Sequence, residues 1–165
     1  MAITNGYATL AEIKVAVGIS DTTDDTVLEA AVETASRQID AYCGKGRKFW
    51  QDSTVVARKY RPAMANVAVV DDVSTLTGLL VKVDTSDNGT FDTSLTIATD
   101  FQVEPLNAAA ESPVRPWTLI RLLDGTLTQF TALGSGRPAV EVTAKFGWSA
   151  VPTAIARACI IQARS

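Results

Sequence analysis

Residues 23–44 read TDDTVLEAAVETASRQIDAYCG and form the most clearly patterned segment of the chain. Apolar side chains recur in it at steps of three and four residues, the period of an α-helix with one buried stripe. Asp24 and Asp25 fall in the expected first turn, where the helix dipole favours anions, and Gly44 stands where the helix should end. We therefore predict a helix over residues 23–43. Its predicted buried stripe comprises Leu28, Ala31, Val32, Ala35, Ile39 and Tyr42.

Shorter helices are expected on both sides of this segment. Thr9 and Glu12 have the spacing of a capping box, which predicts a helix starting at residue 10, and Gly18 is expected to end it. Pro152 suits the first position of a third helix, because its missing amide would have no partner there in any case. The predicted common side of this third helix carries Ile155, Ala158, Cys159 and Gln162.

Between residues 52 and 147 the pattern changes to that of β-strands. Short runs rich in branched and aromatic residues alternate with clusters of Asp, Asn, Gly and Pro. Because no helical pattern lies between these runs, an antiparallel sheet or small barrel is favoured over a parallel sheet. The predicted strands are 55–60, 67–70, 79–83, 95–97, 117–122 and 140–146.

The predicted fold class is therefore α+β. Two N-terminal helices and the C-terminal helix form a small helical bundle from residues 1–50 and 148–165, and residues 51–147 form an inserted antiparallel β region. Phe146 and Trp148, which flank the junction between the last strand and the last helix, are expected to pack in the core and to pin the sheet to that helix.

Composition excludes several classes of protein. Of the 165 residues, 47% are hydrophobic and 20% are charged, which is too apolar for an intrinsically disordered chain. No apolar run approaches the ~18 to 20 residues of a membrane span, and the N-terminal residues do not have the pattern of a signal peptide. Cys43 and Cys159 lie too far apart to indicate a disulfide framework or a metal site, so a reducing compartment is expected.

The chain contains no histidine. It therefore lacks the commonest general base, the commonest metal ligand and every Ser-His or Cys-His nucleophile pair. We expect a protein that is not an enzyme and that uses no cofactor and no metal. A carboxylate-dependent enzyme is the alternative, and it would require a pocket that raises the pKa of an acid.

Charge is segregated along the chain. Residues 1–44 carry seven acidic and two basic residues, whereas residues 45–61 carry six basic residues and one acidic one. Such segments can neutralise each other within one fold or between neighbouring copies in a ring, and the sequence leaves both possibilities open. The candidate subunit-interface residues are Asp24, Asp25, Glu29, Glu33, Lys45, Arg47 and Lys48.

The basic run also contains Phe49, Trp50 and Tyr60, and basic residues among aromatic ones can bind single-stranded nucleic acid. An acidic neighbour or a solvated loop explains the same run. The two N-terminal helices also resemble a helix-turn-helix. That interpretation is disfavoured because the second helix begins with Asp24 and Asp25, which DNA phosphates would repel.

Three loops carry possible sites. Residues 84–92 resemble the start of a calcium loop, but the twelfth position is Leu95 instead of glutamate, and a hairpin turn at Asn88-Gly89 explains the segment. Residues 134–136 lead into a strand and so do not form a phosphate cradle. The acidic pair at 71–72 is interpreted as part of a loop.

Taken together, five segments resemble a family of phage proteins. They are YATLAEIKVAVGIS (7–20), DDTVLEAAVETASRQIDAYCGKGRKFW (24–50), VDDVSTLTGLLVKVDTSDNGTF (70–91), ATDFQVEPLNAAAESPVRPWTLIRL (98–122) and VTAKFGWSAVPTAIARACIIQAR (142–164). In this order they resemble the head-tail connector, or adaptor, proteins of long-tailed double-stranded DNA phages and prophages. Such proteins usually continue with a longer C-terminal helix and tail.

The resemblance implies a structural virion protein at the head-tail junction. Family members form rings, commonly dodecamers, beneath the portal after DNA packaging, and they carry the stopper and tail. The implied partners are other copies of the chain, the portal, a stopper or tail-completion protein and the double-stranded DNA in the lumen, with the capsid as a further candidate. No membrane is implied, and assembly would take place in the bacterial cytoplasm. The alternatives are another neck or tail-completion ring protein, such as a stopper or tail terminator, or a small nucleic-acid-binding module.

Overall fold

The computed structural model describes residues 3–44, 47–123, 127, 129–131 and 135–165. The chain divides into two compact units. Met1–Trp50 and Ala150–Ser165 form a helical unit, and Gln51–Ser149 form a β unit. Helices at both ends and antiparallel sheets between them confirm the predicted α+β class.

The helical unit contains α1 (Leu10–Val17), α2 (Asp25–Cys43) and α3 (Thr153–Ala163). The predicted capping box is present, since the Thr9 side chain accepts the Glu12 amide while the Glu12 carboxylate accepts the Thr9 amide. Gly18 ends α1 with φ of 74°, a left-handed conformation that glycine adopts without strain.

The buried side of α2 is shorter than the sequence pattern predicts. Val32 and Ala35 are buried as expected, but Tyr42 is 94% exposed, so its assignment to the stripe was wrong. With 19 residues, α2 is longer than its neighbours α1 and α3, which have 8 and 11, and this length leaves its last turn in solvent. Ser36 is buried because its hydroxyl donates to the Val32 carbonyl at 2.7 Å and accepts the Tyr7 amide at 3.0 Å.

The buried side of α3 also differs from the prediction. The helix begins at Thr153, and Pro152 is the residue before it instead of its first residue. Cys159 is buried as expected, whereas Ala158 and Gln162 are exposed and the larger Ile160 is half-buried. Both faces have helical spacing, and the face containing Ile160 removes more apolar surface from water.

Eight strands form the β unit within the described residues. They are β1 (Val56–Tyr60), β2 (Pro62–Met64), β3 (Val67–Val73), β4 (Leu80–Val83), β5 (Thr93–Leu95), β6 (Phe101–Glu104), β7 (Trp117–Leu122) and β8 (Val140–Ala144). They form two four-stranded antiparallel sheets with the orders β1-β8-β4-β5 and β2-β3-β7-β6. The sequence pattern missed the short strands β2 and β6, and its predicted strand at 95–97 shares only Leu95 with β5.

Both sheets contribute to one hydrophobic core. Val140, Val142 and Ala144 on β8 are fully buried, which confirms the alternation predicted for the last strand, and Phe146 just beyond it is buried as well. From the other sheet, the largest contributions are Phe101 and Ile120. Trp148 is only half-buried, and its indole N–H donates to the Asp72 carboxylate at 3.2 Å.

Asp71 and Asp72 lie on β3, so their assignment to a loop was wrong. The register of β3 against β7 shifts between Val69 and Val73, and this irregularity accommodates the two aspartates. Asp71 accepts hydrogen bonds from Arg58 at 2.6 Å and from the Tyr60 hydroxyl at 3.0 Å. These partners come from a different strand, which is why local sequence pattern did not place the acids in a sheet.

Candidate assembly interface

The start of α2 presents one exposed acid and one paired acid. Asp24 is exposed, and its side chain makes no hydrogen bond to any described residue. Asp25 is half-buried and forms an ion pair with Lys14 Nζ at 2.5 Å. Val27 is 68% exposed, and since it lies three residues after Asp24 the two side chains share one side of the helix. This end of α2 therefore combines a carboxylate with an apolar side chain.

The other predicted acids of α2 contribute to the helical unit itself. The Glu33 carboxylate accepts the Thr4 backbone amide at 2.6 Å. Glu29 is half-buried and lines a shallow groove together with Thr9 and Leu10. Among the described acidic residues predicted for the interface, Asp24 is therefore the most exposed.

Tyr7 connects the N-terminal segment to the segment that follows α2. Its hydroxyl donates to the Asp40 carboxylate and accepts the Phe49 backbone amide at 2.9 Å. The rings of Tyr7 and Phe49 meet edge to face with centroids 5.7 Å apart. Burial and the Asp40 carboxylate raise the pKa of Tyr7 above its usual value, so the hydroxyl remains a donor at neutral pH.

The predicted basic residues are divided between the two units. Lys45 lies outside the described residues. Arg47 is exposed, and Lys48 places its ammonium 4.0 Å from the centre of the Trp50 ring. Arg58 belongs to the β unit, where it pairs with Asp71 at 2.6 Å and lies over the Phe146 ring at 4.1 Å. The basic run is therefore divided between the helical unit and the β unit.

Folding also changes the distribution of charge. The helical unit holds seven acidic and seven basic residues. Its charges balance because the acidic residues of α2 are joined by basic residues that follow α2, two of them on or after α3. The β unit holds eleven acidic and eight basic residues. The pairs Lys14–Asp25 and Arg58–Asp71 support neutralisation within the fold for part of the charge.

The loop at residues 84–92 is organised by one aspartate. The two Asp84 carboxylate oxygens accept backbone amides from Ser86 at 3.0 Å, Asn88 at 3.3 Å and Gly89 at 2.6 Å. Burial opposes ionisation of Asp84, but these hydrogen bonds outweigh it and lower its pKa. Positive φ angles occur at Asp87 and Gly89, not at Asn88, so the turn was assigned to the right segment but to one wrong residue.

An open groove of about 490 Å³ lies in the β unit. Ser74 is buried beneath it, and its hydroxyl donates to the Lys145 carbonyl at 2.7 Å and accepts the Gln51 side-chain amide at 2.9 Å. The half-buried Lys145 side chain has no acidic partner among the described residues. The lining residues are Gln51, Ser74, Thr75, Thr77, Val114, Trp117, Lys145 and Ser149. Sequence reasoning missed this groove because the residues come from separate segments with no motif.

In the part of the chain that the structure describes, no cluster of three or more His, Cys, Asp or Glu is positioned to hold a metal ion. No helix in the described ranges has the length and apolarity needed to cross a bilayer. The notable features are a helix end and an open groove, together with apolar side chains left in solvent. These features are typical of an α+β protein that acts by contacting other proteins.

Comparison with known proteins agrees with this class. Residues 7–98 match the family model of phage gp6-like head-tail connector proteins, which spans more than half of the chain. The chain belongs to this family. It is therefore a structural protein of the junction between a phage head and tail, as the sequence resemblance indicated.

A structural relative has the same fold. One chain in a solved structure of the neck of an empty GTA particle, computed with C6 symmetry, is 18% identical to this chain with a TM-score of 0.56. The match covers 99% of this chain and 78% of that chain, so it includes both units. No curated protein matches the chain in sequence.

Proposed function

We propose that the protein assembles into a ring in the neck of a phage-like particle, where it joins the portal to the stopper or tail. The observation that carries this proposal is the head-tail connector match over residues 7–98. The structural relative comes from a neck computed with C6 symmetry, which supports an arrangement of repeated copies around one axis. A ring of twelve copies around packaged double-stranded DNA is compatible with such symmetry.

Exposed apolar side chains support contacts between copies. In the helical unit, Val15 on α1, Val27 and Tyr42 on α2 and Ile161 on α3 are all largely exposed. Single exposed apolar residues are normal, but four on three helices suit a unit that buries part of its surface on assembly. The helical unit would form the wall of the ring, and the β unit would form the tier that meets neighbours or the capsid.

Charged residues would set the direction of assembly. A head-to-tail ring needs two different complementary patches on each copy. The proposed patches are the acidic start of α2, with Asp24, Asp25, Glu29 and Glu33, and the basic segment with Lys45, Arg47 and Lys48. Asp24 and Arg47 are the most exposed of the described members. The protein would act as a structural component and not as an enzyme.

Electron microscopy of the purified chain, alone and mixed with its portal protein, tests this function. We expect rings with one axis of symmetry, formed by the chain alone or on the portal. Native mass spectrometry of the same samples gives the number of copies. Particles that remain single copies in both samples would contradict the proposal. Retardation of DNA by single copies at low salt would instead favour the nucleic-acid-binding alternative.

A further inference from the structure

The groove of the β unit combines a cation with an apolar surface. Lys145 supplies an ammonium group without an acidic partner among the described residues, and Val114 and Trp117 supply the apolar part. Thr77 and Ser149, both exposed, also line the groove. The groove is open and shallow, unlike the enclosed and mainly apolar pockets that hold small molecules. A polypeptide surface that carries a carboxylate next to an apolar side chain would complement it.

The start of α2 presents this combination in the same chain. The Asp24 side chain is exposed without a hydrogen-bond partner among the described residues, and Val27 lies on the same side of this helix end with two thirds of its surface exposed. Asp24 is the N-cap residue of α2 and Val27 lies in its first turn, and the ion pair of Asp25 with Lys14 links this turn to α1. Asp24 and Val27 are therefore held at a helix end that is tied to its neighbour, which reduces the entropy lost on binding.

We infer that the start of α2 in one copy docks in the β-unit groove of a second copy, with Asp24 facing Lys145 and Val27 contacting Val114 and Trp117. This inference rests on the proposed ring and names one of its contacts. Because the two surfaces differ, the contact is heterologous and can propagate around a ring. It assigns Asp24 to the groove, while the remaining acidic residues of α2 stay the proposed partners of the basic segment.

Charge-reversal variants test the contact. Asp24→Lys alone and Lys145→Glu alone each place like charges across every contact, so each should weaken self-association at least about tenfold. An equal mixture of the two variants can alternate, which gives opposite charges at every contact and should restore assembly. The double variant should also assemble by itself. Sedimentation velocity over a concentration series measures all four samples.

Matched controls carry the same changes of charge elsewhere. Arg61→Glu changes an exposed residue of the β unit outside the groove, and Asp92→Lys changes an exposed residue outside α2. Both should assemble like the wild type. Thermal unfolding of each variant checks that the single reversals leave the two units folded.

The outcomes separate this inference from the proposed function. Rings that form equally well from both single reversals would overturn the contact and leave the ring intact. Rescue by the double variant without rescue by the mixture would also overturn it, because the contact would then lie within one chain. Self-association that never closes into rings, but is lost in both reversals, would support the contact and count against the ring.

Discussion

The Tyr7 hydroxyl accepts a hydrogen bond from the backbone amide of Phe49 at 2.9 Å, across 42 residues of sequence. The same hydroxyl donates to Asp40 on α2. One phenol therefore joins the segment before α1 to the segment after α2. This bridge fixes the path of the chain as it leaves α2.

Tyr7→Phe should lower the free energy of unfolding of the helical unit by about 1 to 3 kcal/mol, because it leaves the buried Phe49 amide and the Asp40 carboxylate without this partner. Urea denaturation followed by circular dichroism measures the loss. Tyr42→Phe removes a hydroxyl from an exposed ring on the same helix bundle and is the control. Equal stability of the Tyr7 variant and wild type would show that the bridge contributes nothing.

Acid should weaken the β unit through Asp84. Its folded-state pKa lies below the unfolded value of about 3.9, so its stabilising effect is complete above that value and is lost as the pH falls through the folded pKa. Asp84→Asn should be less stable at pH 7 and should lose less stability on acidification. Melting temperatures from pH 7 to about pH 2.5 measure both effects.

Asp92→Asn is the matched control for this experiment, since it removes an exposed carboxylate from the same loop. The melting temperature of this variant should fall on acidification in the same way as that of the wild type. If the melting temperatures of wild type and Asp84→Asn coincide both below and above pH 4, the hydrogen bonds from the backbone amides to Asp84 do not contribute to stability as proposed.

Phe146→Ala should be strongly destabilising. Phe146 is 1% exposed, and Arg58 covers its ring. Truncation should cost about 3 to 5 kcal/mol, because it leaves a cavity in the core that the two sheets share. Chemical denaturation measures the cost, and Phe91→Ala, at a half-buried ring, should cost less. Similar costs for the two variants would argue against a central position of Phe146.

The two thiols should react at different rates. Cys43 is exposed at the end of α2, whereas Cys159 is buried on α3 with its sulfur 3.4 Å from the Ser36 hydroxyl. One thiol per chain should react with a colorimetric disulfide reagent in native buffer, and the second only in denaturant. Cys43→Ser should remove the fast reaction. Two fast thiols in the native protein would mean that α3 is not packed against α2 as described.

Features controlled by neighbouring residues were predictable from the sequence. The capping box of α1, the glycine that ends it and the alternation along β8 each depend on residues a few positions apart, and all three are confirmed. The family resemblance also rested on local segments, and the match over residues 7–98 confirms it.

Features controlled by distant residues were not predictable in this way. The exposure of Tyr42 depends on the length of the helices that pack on α2, and the place of Asp71 in a strand depends on Arg58 and Tyr60. The subunit-interface residues remain a prediction.

The sequence by itself determined where most helices and strands form, since the hydrophobic period and helix capping depend on residues a few positions apart. Only the tertiary structure decided which helix faces are buried and that Lys145 lies in one groove with Val114. The physical reason is that burial and surface charge depend on which segments pack together. The local sequence of two segments about 30 residues apart does not show that they are in contact.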